Sequence, residues 1–265
     1  MSTGSTTQTQ QIISLLERDK IVPDVLPSAP DLQGKLDIVY PTHVISMGET
    51  ADRVITKDIP VVRFTPFPNS SFQAGPEARY TVIMVDSDLT HPNDRLSGQV
   101  RHWLLSGVVF EEQAGTDYYI GKPREGVPPL TEYLECAPGP PVSSSASVSC
   151  FATCNVPYRL LGFPFSYHAN QGHAHRYTFL LARESTTSAP QATDFPSTQL
   201  THAPSFPKTS ENLADRSGFN VHEYLEKKQM PVVGVSYFFV GPDVESLIDN
   251  VGVMGRTVVD KVMGR

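Results

Sequence analysis

The sequence predicts a mainly β protein in one domain, with a few short helices at its periphery. Two observations carry that reading. Runs 80–85, 102–110, 172–183 and 232–240 are rich in Val, Ile, Leu, Phe and Tyr and are bounded by Asp, Asn, Pro or Gly, as short buried strands are. Run 35–44 alternates through Leu36, Ile38 and Tyr40, the period of a strand. Helical spacing is confined to Ile12, Ile13, Leu15 and Leu16, to Val221, Tyr224 and Leu225, and to a C-terminal stripe from Leu247 to Val262.

Taken in order, 1–20 reads as an N-terminal helix whose apolar stripe, over 10–19, docks on the body. Segment 22–33 is proline-punctuated and extended, and 35–44 is a strand. After a polar connection, 48–58, a further strand begins at 61–64, followed by a turn-rich loop, 66–79. The two central strands come next. Segment 111–129 is polar and glycine-rich, with 118–120 pairing at an edge. Pro138, Pro140 and Pro141 then remove backbone donors and stiffen their loop. Segment 142–171 opens Ser-rich and passes through Phe151, Tyr158, Phe163, Phe165 and Tyr167. It is too long for an idle connection and too aromatic for simple disorder, which leaves a lid or a hairpin covering a sheet edge. Segment 184–215 is an irregular Ser/Thr/Pro loop and 220–228 a short helix. Pro231 opens the buried strand 232–240, and 241–265 is a C-terminal helical extension. Neither a repeat nor a linker divides residues 1–265.

The chain has 265 residues, enough for a sizeable core, and 39% are apolar. Its 21 basic and 28 acidic residues give a formal charge of −7, which disfavours nucleic acid as a partner. No run approaches the roughly 20 apolar residues of a membrane span, and the N-terminus lacks the charged and apolar regions of a signal peptide. A cytoplasmic location is expected. Cys136, Cys150 and Cys154 form no Cys-x-x-Cys pair, so free thiols are expected and no metal or other cofactor.

The chemistry gathers at strand ends. Run 80–85 leads into Asp86 and Asp88, which taken alone only cap and turn the chain. The next strand opens with Arg101, His102 and Trp103, and run 172–183 carries His175, Arg176 and Tyr177 at its mouth. Acids beside imidazoles suit an anion that also donates a hydrogen bond: a phosphate monoester or carboxylic acid donates to Asp86 while accepting from His102 or His175. Trp103, one residue from His102, is expected on the opposite face of its strand, in the core.

The ordered set Asp86-Ser87-Asp88-Leu89-Thr90, His102, Ala137-Pro138-Gly139-Pro140-Pro141 and His173-Ala174-His175-Arg176-Tyr177 resembles the motifs of the phosphatidylethanolamine-binding proteins, also called Raf-kinase-inhibitor-like proteins. The resemblance spans about 21–250, and segment 21–65 is similar to the fungal carboxypeptidase Y inhibitor type. It implies a large central antiparallel sheet packed on a smaller sheet, with a C-terminal helix. It also implies a small-anion pocket lined by Asp86, Asp88, His102, Pro140, His175 and Tyr177, with Arg176 pairing an acid nearby. Departures touch the pocket's shape: Ser87 and Thr90 stand where the family has proline, Leu89 where it has a small residue and His173 where it has glycine.

Two functions follow from the resemblance. One is a binding and regulatory module for a small anionic molecule, with a protease or kinase as target. The other is an enzyme on the same pocket, since some fungal members are associated with maleidride biosynthesis, a secondary metabolism that couples maleic anhydride units. In that case Asp86, His175 and Tyr177 are the expected catalytic groups. Phosphate loops, nucleophile elbows and His-Glu-x-x-His are absent from the sequence, which disfavours ordinary hydrolases.

Overall fold

The apolar runs become the strands of a folded-over sheet. The computed structural model describes residues 3–89, 92–93, 98–138, 173–185, 189–195 and 216–242. Nine strands lie in the order β2-β1-β4-β7-β6-β5-β8-β9-β3. They are β1 (Gly34–Tyr40), β2 (His43–Ile45), β3 (Thr50–Ala51), β4 (Val61–Pro66), β5 (Tyr80–Asp86), β6 (Val100–Glu112), β7 (Tyr119–Lys122), β8 (His175–Arg183) and β9 (Val232–Val240). Every pairing is antiparallel except β3 with β9.

Strand β6 belongs to both halves of this sheet. Its first part pairs with β5 and its last part with β7. Between them the register slips from Val82↔Leu105 to Tyr80↔Val108, and Gly107 takes φ +71°. A left-handed glycine at an extra residue is what lets a long strand bend from one layer into the next. The β2-β1-β4-β7 layer thereby closes on the β5-β8-β9 layer. The approach is close at Gly234 of β9, where a Cβ would lie 2.9 Å from the Phe64 ring of β4.

Between the layers lies one core, built from Leu36, Ile38, Tyr40, Phe64, Tyr80, Val82, Met84, Trp103, Phe110, Tyr177, Phe179 and Phe238. A second core covers the other face of β5, β8 and β9 with Leu16, Ile21, Val25, Ile83, Val85, Leu180, Tyr224, Leu225 and Tyr237. Being covered on both faces, β5 is buried at every residue, which explains its unbroken apolar run.

The N-terminal helix is longer than its apolar stripe suggests: α1 spans Thr3–Arg18, with Leu16 fully buried. In the proline-punctuated stretch a single helical turn, α2 (Ile21–Asp24), interrupts the expected extended chain. Helix α3 (Val221–Lys228) starts where the Asn220 side chain accepts from the Glu223 N–H and ends at Gln229 in the left-handed region. Among the described residues no helix is long and apolar enough to cross a membrane. The expected insertion 142–171 and all but the first two residues of 241–265 lie outside the described residues.

Candidate functional site

Strands β5 and β8 run antiparallel with Asp86 opposite Tyr177, so the acid ending one strand meets the histidine opening the other. His175 Nδ1–H donates to Asp86 Oδ2 at 2.8 Å, with both side chains almost wholly buried. The other carboxylate oxygen, Oδ1, accepts from the Asp88 N–H at 2.8 Å, which shapes the turn after β5. His175 and Tyr177 project from one face of β8 and His173 precedes that strand, their rings stacking at 4.9 and 6.3 Å between centroids.

His102 joins them from β6. A second register slip, between Met84↔Trp103 and Val85↔Arg101, leaves His102 as the extra residue of a bulge. Its ring meets Tyr177 edge-on at 5.1 Å, while Trp103 lies in the same inter-layer core as Tyr177. The expectation that His102 and Trp103 face opposite ways is therefore corrected: the bulge breaks the strict alternation of the pleat.

Electrostatics follow from these contacts. Burial raises the Asp86 carboxyl, but the His175 and His102 rings and the Asp88 N–H outweigh it and hold Asp86 below the usual carboxylate range. For His175, burial disfavours the charged ring, yet Asp86 more than compensates and its pKa is raised. Asp86 and His175 thus each favour the charged form of the other. His102 goes the other way, because burial lowers it further than Asp86 raises it. Its Nδ1–H donates to the Leu134 carbonyl at 3.1 Å, so the neutral ring carries its lone pair on Nε2. Burial, then Asp86, pushes Tyr177 well above a normal phenol. Among the described residues the Tyr177 hydroxyl lies beside Asp86 and the Ala137 amide without a hydrogen bond of good geometry to either. Together these groups offer an acceptor at Asp86, donors at His175 and Tyr177, and an Nε2 lone pair on His102.

Asp88 is held differently. Its oxygens accept from Arg176 Nε at 2.8 Å and Nη2 at 2.6 Å, and from the Asn93 N–H at 2.8 Å. Arg176 Nη1 reaches the Asp24 carboxylate at 2.8 Å and the carbonyls of Asp19 and Lys20, both at 3.1 Å. Asn93 Nδ2 donates to Asp24 as well, at 2.9 Å. Arg176 thus pairs an acid near the site and ties the end of α1 to the Asp86–Asp88 turn.

Of the residues singled out in the sequence, Asp86, His102, His175 and Tyr177 converge, while Asp88 adjoins them with its carboxylate turned to Arg176. Pro140 lies outside the described residues. No local pattern marks Asp24, Asn93 or the Leu134 carbonyl, which arrive from distant segments. Cys136 is a free, buried thiol that burial raises well above its ordinary pKa. Among the described residues no cluster of three or more His, Cys, Asp or Glu side chains could hold a metal.

No protein-family model matches the chain. An uncharacterized protein of Saccharomyces cerevisiae is 23% identical over 235 residues, which cover 86% of this chain and 92% of that one. Among solved structures, carboxypeptidase Y inhibitor, complexed with its cognate proteinase, superposes with a TM-score of 0.59 at 16% identity, covering 88% of this chain and 96% of that one. A phosphatidylethanolamine-binding protein from Plasmodium vivax superposes with a TM-score of 0.55 at 17% identity, covering 87% of this chain and 97% of that one. The chain has the phosphatidylethanolamine-binding-protein-like fold.

Proposed function

We propose that the chain is a binding protein that takes a small phosphate- or carboxylate-bearing anion beside Asp86, His102, His175 and Tyr177. The observation that carries this is the buried Asp86–His175 pair flanked by the buried Tyr177 hydroxyl and a neutral His102. A protonated oxyanion donates to Asp86 and accepts from His175 and Tyr177, adding hydrogen bonds within a buried polar cluster. Titrating the full chain with inorganic phosphate, while following its imidazole NMR signals, tests this. His102 and His175 signals are expected to move together, with His175→Ala and Asp86→Asn each losing about tenfold or more in affinity, the scale of a hydrogen bond to a charged group. A wild-type protein whose imidazole signals ignore phosphate and acetate alike contradicts the reading.

A protease target enters through the likeness of fold to an inhibitor complexed with its cognate proteinase. Inhibition of carboxypeptidase Y by the purified chain is the corresponding assay, and undiminished peptidase activity at saturating chain counts against that partner.

A second reading is favoured by one feature: Asp86 holds Nδ1 of His175 and leaves Nε2 for another group, the arrangement of an oriented acid–base imidazole. In maleidride-type coupling of maleic anhydride units His175 would move a proton while Tyr177 donates to the enolate oxygen. His175→Ala and Asp86→Asn would then cost about 10²–10⁴-fold in coupling rate. Absence of turnover by the wild type on such units removes this reading.

A further inference from the structure

The Asp86–His175 pair by itself is a poor receptor for an anion. Its members are in contact at 2.8 Å, so the imidazolium charge is largely cancelled where an anion would need it. His102 is buried and neutral. The charge of Arg176 is committed to Asp88 and Asp24. Arg216 lies behind His102, with Nη1 donating to the carbonyls of His102 and Glu132. An oxyanion stripped of water among these groups meets a nearly balanced field, which does not repay its desolvation.

His173 is placed to supply the missing charge. It stands just before β8 and extends its ring ladder, stacked on His175 at 4.9 Å with the rings 23° apart. It is partly exposed where His102 and His175 are buried. Its Nε2–H donates to the Asp88 carbonyl at 3.2 Å, so a second proton would add at Nδ1. We propose that His173 is a further ligand-binding residue of this site: an incoming small oxyanion draws a proton onto its Nδ1 and is held by the resulting imidazolium. This rests on the anion-site reading above and names the group that makes it work.

The coupling has a physical origin. Burial and then the neighbouring His175 charge hold His173 below an ordinary imidazole, against the pull of Asp88 and Asp86. Arg176 on the same strand is paired to Asp88, and His102 faces from β6 without charge. An anion beside both rings removes the mutual repulsion. Binding should therefore take up a proton near neutral pH and strengthen as pH falls towards 6. Carboxylate and phosphate groups share this chemistry, and separate probes distinguish them.

The test is calorimetric titration of the full chain with acetate, and separately with inorganic phosphate, at pH 7 in two buffers of different ionisation enthalpy. For phosphate, the protonation of the free ion is subtracted. Wild type should take up on the order of one proton per anion bound. His173→Gln keeps a donor for the Asp88 carbonyl but cannot titrate, and His173→Gly removes both; folding of each is checked by circular dichroism. Both variants should lose that uptake and bind roughly tenfold more weakly at pH 6.5, the equivalent of about one pKa unit. A preference for one probe identifies the anionic group. Variants that fold, bind as wild type does and take up the same proton overturn the role of His173 while leaving the anion site standing. A wild type that binds neither probe overturns both.

Discussion

His102 and His175 share one site but shift in opposite directions, and their consequences for stability differ in sign. His175, raised by Asp86, favours the folded state below about pH 6.5, and that contribution is lost as pH rises through its folded pKa. His102 and His173 are lowered, so the unfolded chain takes up protons near pH 6.5 that the folded chain refuses, and they weaken the fold on acidification. Asp86, lowered, contributes above about pH 4 and loses this as pH falls. Between pH 7 and 5, then, His102→Gln should show a shallower drop in melting temperature than wild type. An equal drop in thermal scans would mean that His102 is not the buried neutral group described. Asp86→Asn should lower the pKa of His175, read from its imidazole NMR signal; an unmoved titration would deny the pair. At this scale the acids and histidines were legible as strand-end motifs. The bulge that turns His102 and Trp103 to one face was not, because a single inserted residue leaves no mark on the apolar pattern.

At the scale of elements, two devices position the site. Arg176 is a clasp across three segments: Asp88 after β5, Asp24 in α2 and the carbonyls of Asp19 and Lys20 after α1. Removing one partner of such a buried network typically costs about 3–5 kcal/mol. Asp88→Asn should therefore destabilise the protein by that order and raise amide hydrogen exchange in α1 as well as in the Asp86–Asp88 turn. Exchange that rises at the turn alone would show that α1 is held by its apolar face without the clasp. Gly107 is the other device, since its left-handed φ lets β6 leave one layer for the other. Gly107→Ala should cost about 1 kcal/mol or more by denaturant unfolding, and a neutral substitution would mean the bend has another source. The strands around both devices were readable from their composition. The clasp was not, because Asp24 and Arg176 are 152 residues apart and no local pattern joins them.

At the scale of the whole molecule, the fold is two strand layers and a helical cover, with the site where β5, β6 and β8 end together at the rim of the inter-layer core. The mainly β class followed from runs that are apolar throughout because both faces of β5 and β8 are covered. The closing of one layer on the other had no sequence signal beyond glycines such as Gly107 and Gly234, whose reasons appear only in three dimensions. This architecture gathers Asp86, His102, His175 and Tyr177 at the edge of an aromatic core, and the central claim is that they hold an anion. A crystal of the full chain soaked in phosphate tests that claim most directly. Density for the anion within hydrogen-bond reach of at least two of Asp86, His102, His175 and Tyr177 is the predicted result. An ordered site with all four side chains in place and phosphate bound only elsewhere, or nowhere, would contradict it.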